Sequence, residues 1–304
     1  MASLKDIRRR IGSVKNTQQI TKAMKMVSAA KLRRAQELIT GARPFADKVE
    51  ELSSRILSEL QKNQTSESKL IHPLLRQKPA VEETEKPRAY VVAISSDKGL
   101  CGAYNTNVIK MAFRHVATLK ETHDVKVICV GRKVSEAMRK RGIHAELVPS
   151  FWSEPLTQTR VASITKTWIE DFVTGKVDKI DFVYTEFKSA ISLIARDRTI
   201  LPLEVSVEAA SEEAESASKD YVFKPSREEL LAGLLPKQVV LQMYRCFADA
   251  LASEFGARMT SMDNATKNAS EMIGDLTLLA NRVRQASITT ELMEIVGGAE
   301  ALKG

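Results

Sequence analysis

Cysteine is nearly absent. Cys101, Cys129 and Cys246 are the three in 304 residues, they lie far apart, and no CxxC occurs. So sparse and odd a set excludes a disulfide framework and fits a reducing compartment. The four histidines (His72, His115, His123, His144) show no HExxH or other ligand spacing, so neither a metal site nor a cofactor is expected. Aromatic residues make up only 5%, which argues against a β-sandwich and for long helices rich in Ala, Leu and Met. No apolar run approaches the roughly 18 residues of a membrane span; the longest, such as Ala89 to Ile94, are strand-sized. The start of the chain carries no apolar signal region, and no targeting peptide is expected. GxxxxGK[ST], GxGxxG and GxSxG are all missing. What is present is 43% hydrophobic and 28% charged residues, which excludes wholesale disorder.

The net charge of +8 is concentrated. Residues 1–48 hold twelve lysines and arginines against three acids, a local charge of +9, and the rest of the chain is nearly neutral. Such a face attracts nucleic acid phosphates or an acidic protein surface, the plain alternative being a solvated helix face. With no Trp or Tyr in residues 1–48, base stacking is not indicated.

Both ends of the chain carry heptad rhythm. Leu4, Ile7, Ile11 and Val14 step by 3, 4, 3; the rhythm breaks through Ile20, Met24 and Val27; it returns at Ala35, Leu38, Ala42, Phe45, Val49, Leu52 and Ile56. Toward the C-terminus, Met262, Ala265, Ala269, Met272, Leu276, Leu279, Val283 and Ala286 repeat it. Seams of this kind need a partner helix. Pairing the two as an antiparallel coiled coil is the economical solution, with the longer C-terminal helix projecting beyond its partner; a bundle of broken helices is the alternative. Ser226 is the expected N-cap of the second helix, and Pro44 and Pro236 are expected to kink or divide their helices.

The middle reads differently. Strands at Tyr90–Ser95, Val125–Val130, Ala145–Val148, Ile180–Phe187 and Ile200–Val205 alternate with helices at Asn107–Lys120, Val134–Lys140 and Val161–Val173, which predicts a small, mainly parallel, Rossmann-like α/β domain. The chain thus divides into an N-terminal coiled-coil helix (1–60), a Pro-containing linker (61–87), the α/β domain (88–207), an acidic low-complexity connection (208–226) and a C-terminal coiled-coil helix (227–304). The loop Ser96-Asp97-Lys98-Gly99-Leu100-Cys101-Gly102-Ala103-Tyr104-Asn105 joins the first strand to the first helix. Its backbone amides are a conceivable anion site, but Gly99 and Gly102 read more simply as a tight turn.

Three blocks carry a resemblance. Ile288-Thr289-Thr290-Glu291-Leu292-Met293-Glu294-Ile295-Val296-Gly297-Gly298-Ala299-Glu300-Ala301 resembles the C-terminal signature of the γ subunits of F-type ATP synthases. Asn16 to Val27, running on to Lys31-Leu32-Arg33-Arg34-Ala35-Gln36, resembles their N-terminal block, and Asp97-Lys98-Gly99-Leu100-Cys101-Gly102 their central loop. The order is the family's, and the blocks span nearly the whole chain. The resemblance implies a rotor shaft, one copy per complex, standing inside three α and three β subunits, with its foot beside the ε subunit and the c-ring. Catalysis then belongs to β. A bacterial protein at the cytoplasmic face of the inner membrane, peripheral to it, is implied.

The resemblance also assigns roles. Gln285, Ile288, Thr289, Thr290, Glu291, Leu292, Ile295 and Val296 are the expected tip, turning in the collar of the α/β ring. Lys22, Met24, Lys25, Lys31, Arg33 and Arg34 are expected to face the acidic levers of β, with plain seam packing as the alternative for Met24. Tyr221 and Phe223 are the expected contacts with the c-ring.

Overall fold

The computed structural model describes residues 3–62, 72–75, 86–149, 151–203 and 226–301. Tyr221, Phe223 and nearly all of the acidic connection lie outside the described residues, as does most of the linker. Among the described residues, the first helix, α1 (Leu4–Lys62), and the last, α5 (Arg227–Ala301), enclose five strands, three further α-helices and two short 3-10 turns. The chain falls into two compact units, one of residues 30–257 and the other of residues 1–29 with 258–304, so each long helix contributes to both.

The larger unit holds the sheet. Its strands are β1 (Arg88–Ile94), β2 (Asp124–Val130), β3 (Ala145–Val148), β4 (Lys179–Phe187) and β5 (Leu193–Leu201), in the order β3-β2-β1-β4-β5. The first four are parallel, and β5 returns antiparallel along β4. The crossovers are α2 (Tyr104–Thr122), α3 (Arg132–Lys140) and α4 (Gln158–Val173). Alternation along β1 explains the layering. Ala89, Val91 and Ala93 meet Val108, Ala112 and Val116 of α2 and Val134 and Met138 of α3. Val92 and Ile94 turn to the other face, where Trp168 and Phe172 of α4 and Leu235, Val239, Met243 and Phe247 of α5 complete the core. Thr157 caps α4, accepting from the Arg160 amide at 3.2 Å, and Ser226 caps α5, accepting from the Glu229 amide at 3.2 Å.

The last strand differs from expectation. It starts at Leu193, not Ile200, and forms a hairpin with β4. Arg196-Asp197-Arg198 hides it in sequence, because an edge strand can point charges to solvent. Those charges are used: Arg196 Nε lies 3.0 Å from Glu186 Oε2, and His115 on α2 sits 2.8 Å from the buried Asp181 of β4 and 3.2 Å from Asp197. Helix α1 runs unbroken through Pro44, and α5 is not divided at Pro236.

In the smaller unit, α1 and α5 run antiparallel. Gln18 Nε2 donates to Ser270 Oγ at 2.6 Å, Thr266 Oγ1 lies 2.8 Å from Thr21 Oγ1, and Lys25 Nζ lies 2.6 Å from Asp263 Oδ1. Position falls on α5 as it rises on α1. The heptad on α1 does not break here as expected. It continues through Ile7, Ile11, Val14, Gln18, Thr21, Lys25 and Ser28 in alternating steps of 4 and 3, with polar residues taking four of the seven inward positions. Ile20 and Val27, which interrupted the apolar rhythm, are more than half exposed. On α5 the inward set is Met262, Thr266, Ala269, Ile273, Leu276, Ala280 and Val283, while Met272 and Leu279 face solvent. Steps of 3-4 and 4-3 share every second residue and differ by one helical position between, so Thr266, Ile273 and Ala280 line the seam where Ala265, Met272 and Leu279 were expected. In the larger unit Phe45 is likewise exposed, and Ala42 and Val49 are turned inward.

Candidate functional site

From Arg284 to Ala299 every residue of α5 is exposed. The eight expected tip residues, Gln285, Ile288, Thr289, Thr290, Glu291, Leu292, Ile295 and Val296, all lie on this stretch and are all exposed. Ile288, Leu292, Ile295 and Val296, with Met293, which sequence reasoning left out, are between 49% and 68% exposed. Ile288, Leu292, Ile295 and Ala299 step by 4, 3, 4, an apolar stripe with no other described element against it. The hydroxyls of Thr289 and Thr290 donate to the carbonyls of Gln285 and Ala286, at 2.9 and 3.0 Å. They satisfy themselves within the helix, which leaves the surface smooth and weakly polar.

The six expected coupling residues are placed less uniformly. In the smaller unit Lys22 is exposed and Met24 half-buried. Lys25 is committed inward to Asp263, whose other oxygen lies 3.2 Å from Lys267 Nζ. Ile20, Ala23 and Val27, with Met26, form an exposed apolar strip on the same stretch of α1. Reading these as a disturbed seam concealed it. In the larger unit Lys31 Nζ lies 5.2 Å from the centre of the Phe255 ring, Arg33 pairs with Glu37 at 3.3 Å one turn on, and Arg34 is exposed.

The loop after β1 is closed by its own groups. The first amides of α3 point at it, the usual place for an anion. There Asp97 Oδ1 accepts from Arg132 N at 3.0 Å, the Ser96 carbonyl from Lys133 N at 3.2 Å, and Ser95 Oγ from Val134 N at 3.0 Å. Gly131, at φ +103°, lets α3 come this close, since a Cβ there would lie 2.1 Å from the Ser95 carbonyl oxygen. Within the loop the left-handed residues are Leu100 and Gly102, at φ 63° and 54°; Gly99 does not need its freedom.

Comparison with known proteins now fits this geometry. The family model described as ATP synthase matches residues 3–302. The ATP synthase gamma chain of Bdellovibrio bacteriovorus is 42% identical over the full length of both chains, and that of Geobacter metallireducens 44%. The chain belongs to the ATP synthase gamma chain family. Among solved structures, a chain of the Euglena gracilis mitochondrial ATP synthase aligns over 98% of this chain and 94% of its own, with a TM-score of 0.62 at 20% identity. One from the central stalk and c-ring of the Tetrahymena thermophila enzyme covers 81% of this chain and 99% of its own, with a TM-score of 0.53 at 24% identity. These share the fold: long terminal helices around a central, mainly parallel sheet. Among the described residues no helix is long and apolar enough to cross a membrane.

Proposed function

We propose that the chain is the central rotor shaft of an F-type ATP synthase, coupling ion-driven rotation of a c-ring to ATP synthesis or hydrolysis on β subunits. The observation that carries this reading is the unpaired stretch of α5, residues 284–299, apolar along one stripe and exposed throughout. An unpartnered apolar helix is a surface awaiting a surrounding partner, and one with its hydroxyls turned back onto itself has few groups to catch on fixed neighbours. We assign the collar contacts to Gln285, Ile288, Thr289, Thr290, Glu291, Leu292, Ile295 and Val296. The β-lever contacts fall to Lys22, Arg33 and Arg34, with Met24 and Lys31 beside them. Lys25 acts through its hold on Asp263 and not as a free charge. Exposed ion pairs to a partner would be worth about 0–1 kcal/mol each. That weakness suits a shaft, because no angular position becomes a deep trap.

The shaft itself carries no chemistry in this reading. Support comes from the α3 amides, already bonded to Asp97, Ser96 and Ser95. Its partners are three α and three β subunits, an ε subunit and the c-ring, with one shaft per complex, peripheral to the membrane on its cytoplasmic face. Native mass spectrometry of the full chain mixed with its α and β partners tests this. A complex of three α, three β and one copy of this chain is expected, and the chain ending at Ser287 should assemble weakly or rotate without coupling. An α/β ring that forms and excludes the full chain overturns the reading.

A further inference from the structure

A cavity of about 640 Å³ lies within the larger unit, between residues 36–46 of α1, the end of β4 and residues 241–249 of α5. That is the size of a small-molecule site. Ile39, Ala42, Leu241, Tyr244 and Ala248 make an apolar lining, and five charged residues join them: Arg43, Glu186, Lys188, Arg245 and Asp249. The charges are sorted by depth. Arg43, Lys188 and Arg245 are exposed and stand at the rim, while Glu186 is half-buried and Asp249 is 6% exposed.

The two inner acids are met unequally: Glu186 is paired with Arg196, and Asp249 has no direct partner among the described residues. No hydrogen bond or ion pair reaches the Asp249 carboxylate among the described residues, although three arginines lie near enough to act on it through space. Glu186 Oε2 is buried and, though 3.0 Å from Arg196 Nε, has no aligned N–H. A buried carboxylate without a donor is costly, and a cationic N–H donor relieves that cost.

We propose that this cavity binds a small zwitterion of the ω-amino acid class, its ammonium group donating to Asp249 in the depth and its carboxylate lying against Arg43 and Arg245 at the rim. An apolar methylene linker matches the lining between the two ends. A plain amine would have to pass the cationic rim uncompensated, and a plain carboxylate would leave Asp249 unmet. The site is independent of the rotor reading, since it lies wholly within one unit of the chain.

Asp249 also gives the site a pH signature. Desolvation pushes its carboxyl up to about 6 and Glu186 on β4 adds to that, against Arg245 on α5, Arg198 on β5 and Arg43 on α1. Protons and the ligand's ammonium therefore compete for the same oxygens, and affinity falls as pH drops through about 6.

Titration calorimetry of the full chain with 4-aminobutanoate, 6-aminohexanoate and 8-aminooctanoate, against hexanoate and hexylamine, tests the proposal. One of the three zwitterions should bind at least about tenfold more tightly than either single-charge compound, the worth of one charge-assisted hydrogen bond. Asp249→Asn should reduce it to the level of hexanoate, and Arg43→Gln with Arg245→Gln to that of hexylamine. Ala42→Phe, which fills the cavity from α1 and leaves the charges in place, should abolish binding while the chain keeps its circular dichroism. The proposal is overturned if no zwitterion binds saturably, if hexanoate or hexylamine binds as well, or if folded Asp249→Asn retains full affinity.

Discussion

The two units of this chain pack the same two helices with different chemistry: the body's contact is mainly apolar, and the seam mixes apolar residues such as Ile7, Met262 and Ala269 with polar ones. In the larger unit α5 lies against the sheet through Leu235, Val239, Met243 and Phe247, all essentially fully buried. In the smaller unit the same helix meets α1 through Thr266 and Asp263, facing Thr21 and Lys25. Burial of large side chains stabilises but tolerates some repacking. Polar pairs in a seam contribute less to stability yet favour one register, because a slip by one turn forfeits the cross-helix contacts of Thr21 with Thr266 and of Lys25 with Asp263. A body that anchors and a shaft that must hold one register therefore call for different interiors.

The sharpest way to break the comparison is to remove a ring from the anchored side. Phe247 packs 4.6 Å from the Phe151 ring centre and 5.6 Å from that of Phe182, with no exposure. Phe247→Ala should cost about 3–5 kcal/mol, the usual range for emptying a well-packed aromatic site. Chemical denaturation of the full chain measures this. A loss below about 1 kcal/mol would mean that the body is packed no more tightly than the shaft.

A smaller effect is expected on the polar side. Thr21 donates to the Gln18 carbonyl at 3.0 Å, and Thr266 has both Thr21 Oγ1 and its own Met262 carbonyl within reach. Thr21→Val removes the cross-helix acceptor and should cost about 0.5–1.5 kcal/mol. The double variant with Thr266→Val should recover most of that, since two apolar groups of the same shape replace a hydrogen-bonded pair. The double-mutant cycle from thermal unfolding reads the coupling directly. Additive losses would show that the two hydroxyls do not act together.

Much of the body was legible in the sequence because its signals are apolar. The four parallel strands sit within two residues of where alternation predicts them, and Ser226 caps α5 as its position before Glu228 and Glu229 suggests. The hairpin strand was missed from Leu193 to Thr199, because its outward charges break the pattern that marks a strand. The shaft was half legible. Met262, Ala269, Leu276 and Val283 lie inward as the heptad demands, but Gln18, Thr21, Lys25 and Ser28 keep the rhythm in polar residues, which a hydrophobic count cannot see. The exposed strip of Ile20, Ala23 and Val27 was concealed by the same error. The tip residues were assigned through resemblance, while the projection of the longer C-terminal helix beyond its partner followed from the heptad lengths; in the structure the stripe at Ile288, Leu292 and Ile295 meets no other described element.

The smallest effect belongs to the charged contact of the seam, and it sharpens the comparison by its dependence on pH. Asp263 is hydrogen-bonded first by Lys25 across the seam and then by Lys267 on its own helix, and both hold its carboxyl below the ordinary aspartate value. A carboxyl depressed by folding stabilises the fold above its unfolded value and loses that contribution as pH falls through the folded value. Lys25→Met should therefore leave stability at neutral pH almost unchanged, in keeping with a half-exposed pair. It should also move the Asp263 carboxyl resonance toward ordinary aspartate titration in a carbon-13 NMR experiment, and the shift should shrink as salt is raised. If Asp263 titrates identically with and without Lys25, Lys267 alone holds it, and the contact between the helices at this level rests on Thr21 and Thr266 instead of on charge.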